Sequence, residues 1–194
     1  MTLWFLARAA GFVALMSASL TVALGAAGSS SRGDGRIVAQ LVHRSAAVVT
    51  LAFLGLHAAL LITDHFVNVS LSGALVPFTA GYRGLALGLG TLAVYAFVVV
   101  ALTGALRGRL ATHADAARTW RVVHGSAYGA WALAMLHGML AGTDTLRGWA
   151  LAIYGLSAFM VASAVVVRLA SEARARRSPL ERARRLAVPS GATR

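Results

Sequence analysis

Five apolar stretches alternate with polar, arginine-bearing segments along the chain, near residues 4–27, 39–62, 84–106, 120–141 and 148–169. Each is long enough to cross a bilayer as a helix, which takes roughly 20 residues. A membrane barrel would instead show polar residues alternating along every strand. With no water in hydrocarbon to satisfy the backbone, the helix is the remaining solution. The pattern therefore predicts an all-α integral membrane bundle of five transmembrane helices. The first stretch ends in the small residues "ALGAAGSSS", as a secretory leader does. Its apolar core is longer than the roughly 7–15 residues of a leader's h-region, and it is read as the first membrane helix.

Charge orients the bundle. The chain of 194 residues has a formal net charge of +12, with no lysine, so every basic side chain that titrates above neutrality is arginine. Arg32, Arg36 and Arg44 lie around the first connection, and Arg107, Arg109, Arg118 and Arg121 around the third. Arg174, Arg176, Arg177, Arg182, Arg184 and Arg185 lie in the tail. The second and fourth connections carry Arg83 and Arg147, near Asp64 and Asp144. Cytoplasmic loops collect the basic excess, which places the N-terminus outside and the C-terminus in the cytoplasm of a multi-pass cell-membrane protein. Arginines between and after apolar segments point to anionic lipid rather than nucleic acid. The expected organisation is a membrane domain over 1–170 and an arginine-rich cytoplasmic tail over 171–194.

Composition narrows the chemistry. Hydrophobic residues make up 58% of the chain and the mean hydropathy is +0.73, as an integral membrane protein requires. Cysteine is absent, which excludes disulfides, thiolate metal sites, iron–sulfur clusters and cysteine-attached haem.

Six histidines are present. His65 and His113 fall in connections, where a solvated imidazole is ordinary. His43 and His57 fall in the second span, His124 and His137 in the fourth. One span separates these two helices, so they run parallel, with His43 and His124 on the inner side and His57 and His137 on the outer. Separations of 14 and 13 residues correspond to about 21 and about 19.5 Å along a helix, so two levels match, one near each face of a core about 30 Å thick. Two neutral imidazoles from facing helices hold one haem iron from both sides, and two such levels predict two non-covalent b-type haems. Angles fit less well: fourteen residues return to within about 40° of one face, whereas thirteen leave about 140°. A kink near Gly125 or Gly129, tilt, or different haem azimuths would absorb the difference. Gly55, Gly125 and Gly129 lie near these histidines and suit either a flat macrocycle or close helix packing; Gly84 with Gly88 and Gly104 with Gly108 read as close helix packing. The competing reading is a non-redox membrane protein, a transporter or structural protein, whose histidines are interhelical polar contacts.

The segments "LVHRSAAVVTLAFLGLHAAL" and "WRVVHGSAYGAWALAMLHGMLAGTDT" resemble the ferric reductase-like transmembrane domain family, which includes the haem cores of NADPH oxidases and ferric reductases and the haem-bearing membrane subunit of the periplasmic methionine sulfoxide reductase system. The resemblance spans about residues 4–169. It implies an inner haem iron held by His43 and His124, an outer one held by His57 and His137, and electron transport across the membrane. It also implies Arg44 and Arg121 as partners of haem propionates, unless they only mark the cytoplasmic interface, with Arg83 and Arg147 in the same role outside. The tail "SEARARRSPLERARRLAVPSGATR" carries no glycine-rich dinucleotide fingerprint. The expected donor is therefore separate, a flavin reductase or membrane quinol, with the acceptor open, and the chain is an oxidoreductase component rather than a complete nicotinamide-linked enzyme. The loop over 63–83, with "GTDT" at 142–145, is expected to roof the outer level. The tail is expected to contact membrane lipid, or alternatively a partner.

Overall fold

The computed structural model describes residues 2–28, 33–64 and 69–187, with side chains described as far as Arg174. Arg32 and His65 lie outside the described residues, as do the side chains of the tail arginines beyond Arg174. The described residues form helices and the connections between them, with no strand among them. In chain order the helices are α1 (Thr2–Gly28), α2 (Asp34–Thr63), α3 (Leu71–Leu75), α4 (Gly84–Ala105), α5 (Arg107–Leu110), α6 (Ala114–Gly125), α7 (Ala127–Ala141) and α8 (Gly148–Ala187).

Four of these, α1, α2, α4 and α8 over Gly148–Arg174, are long and apolar enough to cross a membrane. The stretch expected to be the fourth span is divided into α6 and α7 by a turn at Ser126. There the Ser126 amide bonds the Val123 carbonyl at 3.1 Å, and the Ser126 hydroxyl donates to the same carbonyl at 2.7 Å. A serine hydroxyl that reaches back to the helix carbonyls competes with the regular ladder and bends it. This tight i→i+3 turn winds faster than an α-helix, in the sense that brings the thirteenth residue back towards the starting face. The boundary expected at 170/171 falls within α8, which continues without a break through 40 residues.

The helix with the leader-like end, α1, is the centre of the bundle. It packs along α2 on one side and α8 on another, and touches α7; α4 packs along α7 and α6. Small side chains make this possible. Ala7, Ala10, Ala14, Ala18, Ser19, Ala23 and Ala26 are all buried in α1, and small faces let helix backbones approach closely. Polar groups inside are matched to partners, as hydrocarbon surroundings demand. Ser17 donates to the Ala46 carbonyl at 2.9 Å, Thr50 to Ser17 at 3.1 Å, and the Trp131 indole to Ser19 at 2.9 Å. Halfway along the bundle, Ala18, Phe97 and Ala130 form a buried cluster backed by Leu54 and Trp131.

On one end, the segment from Val69 to Arg83 folds back over α4. Thr91 donates to the Ala74 carbonyl at 2.9 Å, and the Tyr95 hydroxyl bonds the Leu75 carbonyl. Phe78 adopts a left-handed backbone with φ 68°, which aims its ring at Gly88. A Cβ on Gly88 would lie 2.2 Å from the Phe78 ring, so only glycine fits there.

Candidate functional site

The four membrane histidines meet in two pairs. The His43 and His124 ring centres are 6.3 Å apart, and those of His57 and His137 are 6.1 Å apart. All four rings are half-buried. The helices that carry them, α2 on one side and α6 with α7 on the other, do not pack along one another as α1 packs along α2.

Each ring is anchored in the same way. His57 Nδ1 lies 2.7 Å from the Ala7 carbonyl, and His43 Nδ1 lies 2.8 Å from the Thr21 carbonyl, both on α1. His137 Nδ1 lies 2.8 Å from the Ala86 carbonyl and His124 Nδ1 3.2 Å from the Val100 carbonyl, both on α4. A carbonyl can only accept, so Nδ1 carries the proton, and in a neutral imidazole Nε2 is then the bare nitrogen. A backbone carbonyl at Nδ1 is the usual outer support of a histidine whose other nitrogen binds a metal.

Those carbonyls are already used by their own helices, and glycine makes them reachable. A helical side chain leans towards the turn before it and covers the carbonyls there. Four residues after each acceptor stands a glycine: Gly11 after Ala7, Gly25 after Thr21, Gly90 after Ala86 and Gly104 after Val100. A Cβ on Gly11 would lie 3.0 Å from the His57 ring, on Gly25 3.2 Å from His43, on Gly104 3.1 Å from His124 and on Gly90 2.7 Å from His137. Gly104 thus faces a histidine rather than serving only as a packing glycine. By contrast, a Cβ on Gly55, Gly125 or Gly129 would meet no atom within 4 Å. The α1 positions 7, 11, 21 and 25 recur in α4 as 86, 90, 100 and 104, each 79 residues later, and the histidines recur 81 and 80 residues later. The site is two helical hairpins with the same plan.

The glycines at positions 11, 25 and 90 were not evident as site residues from the sequence, although 14-residue spacings in α1 and α4 matching that of His43 and His57 are a signal that finds them. Arg8 was missed too. A cavity of ≈ 1080 Å³, counting its open mouth, surrounds His57 and His137. Its walls are mostly apolar, with Arg8, Asp144 and Thr145 among its lining residues. Arg8 pairs with Asp144, and Arg147 joins the same carboxylate at 3.2 Å. Val69 and Tyr82, from the segment after Asp64, also line this cavity. Arg83 instead donates to the Leu140 and Ala141 carbonyls at 2.9 Å each, where α7 ends. Arg44 and Arg121 are exposed on α2 and α6.

Among the described residues, no group of three or more His, Cys, Asp or Glu gathers to hold a metal ion by itself. An all-helical chain with several helices able to cross a membrane is, by class, a membrane protein. Compared with protein-family models, curated proteins and solved structures, the chain matches none.

Proposed function

We propose that this protein is a dihaem b-type transmembrane electron-transfer protein, ferric reductase-like in its helix plan, that carries electrons across the cell membrane between a separate donor and an acceptor. The observation that carries this reading is the pair of histidine levels. Each has two imidazoles whose Nδ1 atoms are committed to carbonyls, leaving two bare Nε2 atoms. Imidazole nitrogens about 2 Å on either side of one metal ion put the ring centres about 6 Å apart. A direct bond between the rings, with nitrogens about 3 Å apart, would draw the centres to about 5 Å. The separations of 6.3 and 6.1 Å suit the first arrangement.

The donor set fits haem better than a bare ion. Two nitrogens per level are too few for a structural zinc site, which takes four ligands, but they complete an iron whose other positions a porphyrin fills. The apolar cavity around His57 and His137 suits a flat, mostly hydrophobic macrocycle, and the open space beside Gly55, Gly125 and Gly129 is compatible with one. Held by these histidines, such a group would supply outer-sphere, one-electron chemistry. The chain's own part is to hold it, keep both imidazoles in the Nδ1–H tautomer, and exclude water with apolar walls. In this reading α6 and α7 together make the fourth of five spans, with the N-terminus outside, and the arginine excess supports that orientation. The donor is a flavin reductase or quinol. Arg8 joins Arg44, Arg121, Arg83 and Arg147 as a candidate counter-charge for carboxylates, and it is the one that lines the cavity.

One observation favours the competing reading of interhelical polar contacts in a non-redox membrane protein: all four Nδ1 bonds already cross between helices. A pyridine haemochrome assay with protein quantification separates the two. The expected result is two b-type haems per chain, falling to one in His57→Ala. Purified protein without haem, and with stable histidine variants, would sink the redox reading.

A further inference from the structure

Of the four histidines, His124 has the weakest carbonyl anchor. Its Nδ1 lies 3.2 Å from Val100 and 3.4 Å from the Thr103 hydroxyl, against 2.7–2.8 Å for the other three. It also has something the others lack. Trp120, one turn earlier on α6, stacks on its face with ring centres 4.9 Å apart and planes 14° from parallel. Among the described residues no ring stacks on His43, His57 or His137 in this way. The indole is itself fixed, since its Nε1 donates to the Thr103 carbonyl at 2.8 Å. The Arg107 guanidinium lies 5.0 Å from the centre of the indole ring.

We propose that Trp120, seated by Thr103 and Arg107, is a positioning residue that sets the ring plane of His124 and makes the inner haem site electronically distinct from the outer one. A stacked ring at this distance resists rotation of the imidazole about its Cβ–Cγ bond, a restraint that a 3.2 Å hydrogen bond supplies only weakly. Trp120 also covers the imidazole on the side of α5 and the exposed Arg107. Ferric iron between two neutral imidazoles carries one more positive charge than ferrous iron. Covering the site with indole and placing a guanidinium beside it therefore both favour the reduced form. Among the described residues the outer pair has no stacked ring, and the guanidinium nearest it, Arg8, is paired with Asp144. This inference rests on the dihaem reading, and its test separates the two.

Wild-type protein, Trp120→Leu, Trp120→Phe and Arg107→Gln are purified with bound haem and followed by low-temperature EPR and redox titration, with His57→Ala used to assign the inner signal. Trp120→Leu is expected to move the low-spin g values of the inner haem and shift its equilibrium about tenfold towards the oxidised form, or 59 mV for a one-electron couple. The outer haem stays as it was. Trp120→Phe restores most of the signal, and Arg107→Gln gives a smaller shift of the same sign in the same haem. Should Trp120→Leu fail to accumulate, Arg107→Gln tests the same inference through that smaller shift. Two bound haems with neither signal altered would overturn this inference alone, whereas wild-type protein without haem overturns the dihaem reading and this inference with it.

Discussion

The two histidine pairs are built on one plan and finished differently. The pair His57 with His137, the outer one in the proposed orientation, has two short carbonyl anchors and sits in a walled cavity with Arg8 and Asp144 among its lining. The inner pair, His43 with His124, has one short anchor and one long one, and relies on a stacked indole. The difference follows from where α6 meets α7. His124 stands two residues before the turn at Ser126, so its ring approaches α4 from a helix end, while His137 approaches from within a continuous helix. A regular helix fixes a side chain through its backbone; a helix end needs an added contact to do so.

The sharpest way to break the comparison is through the glycines. Gly90→Ala puts a Cβ 2.7 Å from the His137 ring, closer than side chains tolerate, and α4 cannot retreat without losing its packing on α7. On the dihaem reading, the expected result is loss of most of the outer haem, read as a fall from two towards one per chain. Gly104→Ala leaves 3.1 Å to His124, whose looser anchor can yield, so haem content should fall by less than half as much. Equal losses would mean that the two levels are held alike.

A smaller effect is expected at Arg8. Arg8→Gln removes a partly buried cation from the outer cavity and leaves Asp144 with Arg147 alone. The outer haem should be retained but bound several-fold less tightly, at a cost of about 1 kcal/mol, measured by haem transfer to apomyoglobin. Arg44→Gln and Arg121→Gln, at exposed positions, should change inner haem retention little. An inner loss larger than the outer one would reverse the assignment of Arg8 as the principal counter-charge. Smallest is Arg83→Ala, which removes two hydrogen bonds to the end of α7. Each is worth about 1 kcal/mol or less, so thermal unfolding in detergent should begin a few degrees lower with haem content unchanged.

How much of this could be read from the sequence depends on what kind of contact was involved. Apolar runs specify helices because the pattern is local, and the 14- and 13-residue spacings put His43 level with His124 and His57 level with His137 before any contact is known. The turn at Ser126 was foreshadowed only as an angular mismatch. The glycine cradles were not read, because a histidine bonding a carbonyl on another helix leaves no trace in its own neighbourhood. Arg8 was hidden by its position in an apolar run, since its partner Asp144 is far along the chain. The tail read as a separate unit because its composition changes, yet α8 runs through that change, for arginine and alanine are both strong helix formers.

The 79-residue recurrence between α1 and α4 also bears on biosynthesis. Each hairpin supplies one imidazole to each level, so the first hairpin can be made, inserted and packed while owning only half of either grip. The inner level is complete only once α6 has left the ribosome and packed against α4, and the outer level only once α7 has done so. In the proposed reading, cofactor capture is therefore a late checkpoint in assembly, and the bound groups bridge α2 to α6 and α7, adding to the contact that α1 already makes with α7 through Ser19 and Trp131. Cells starved of haem should accumulate a chain whose hairpins are inserted but easily parted, the state most exposed to membrane proteases.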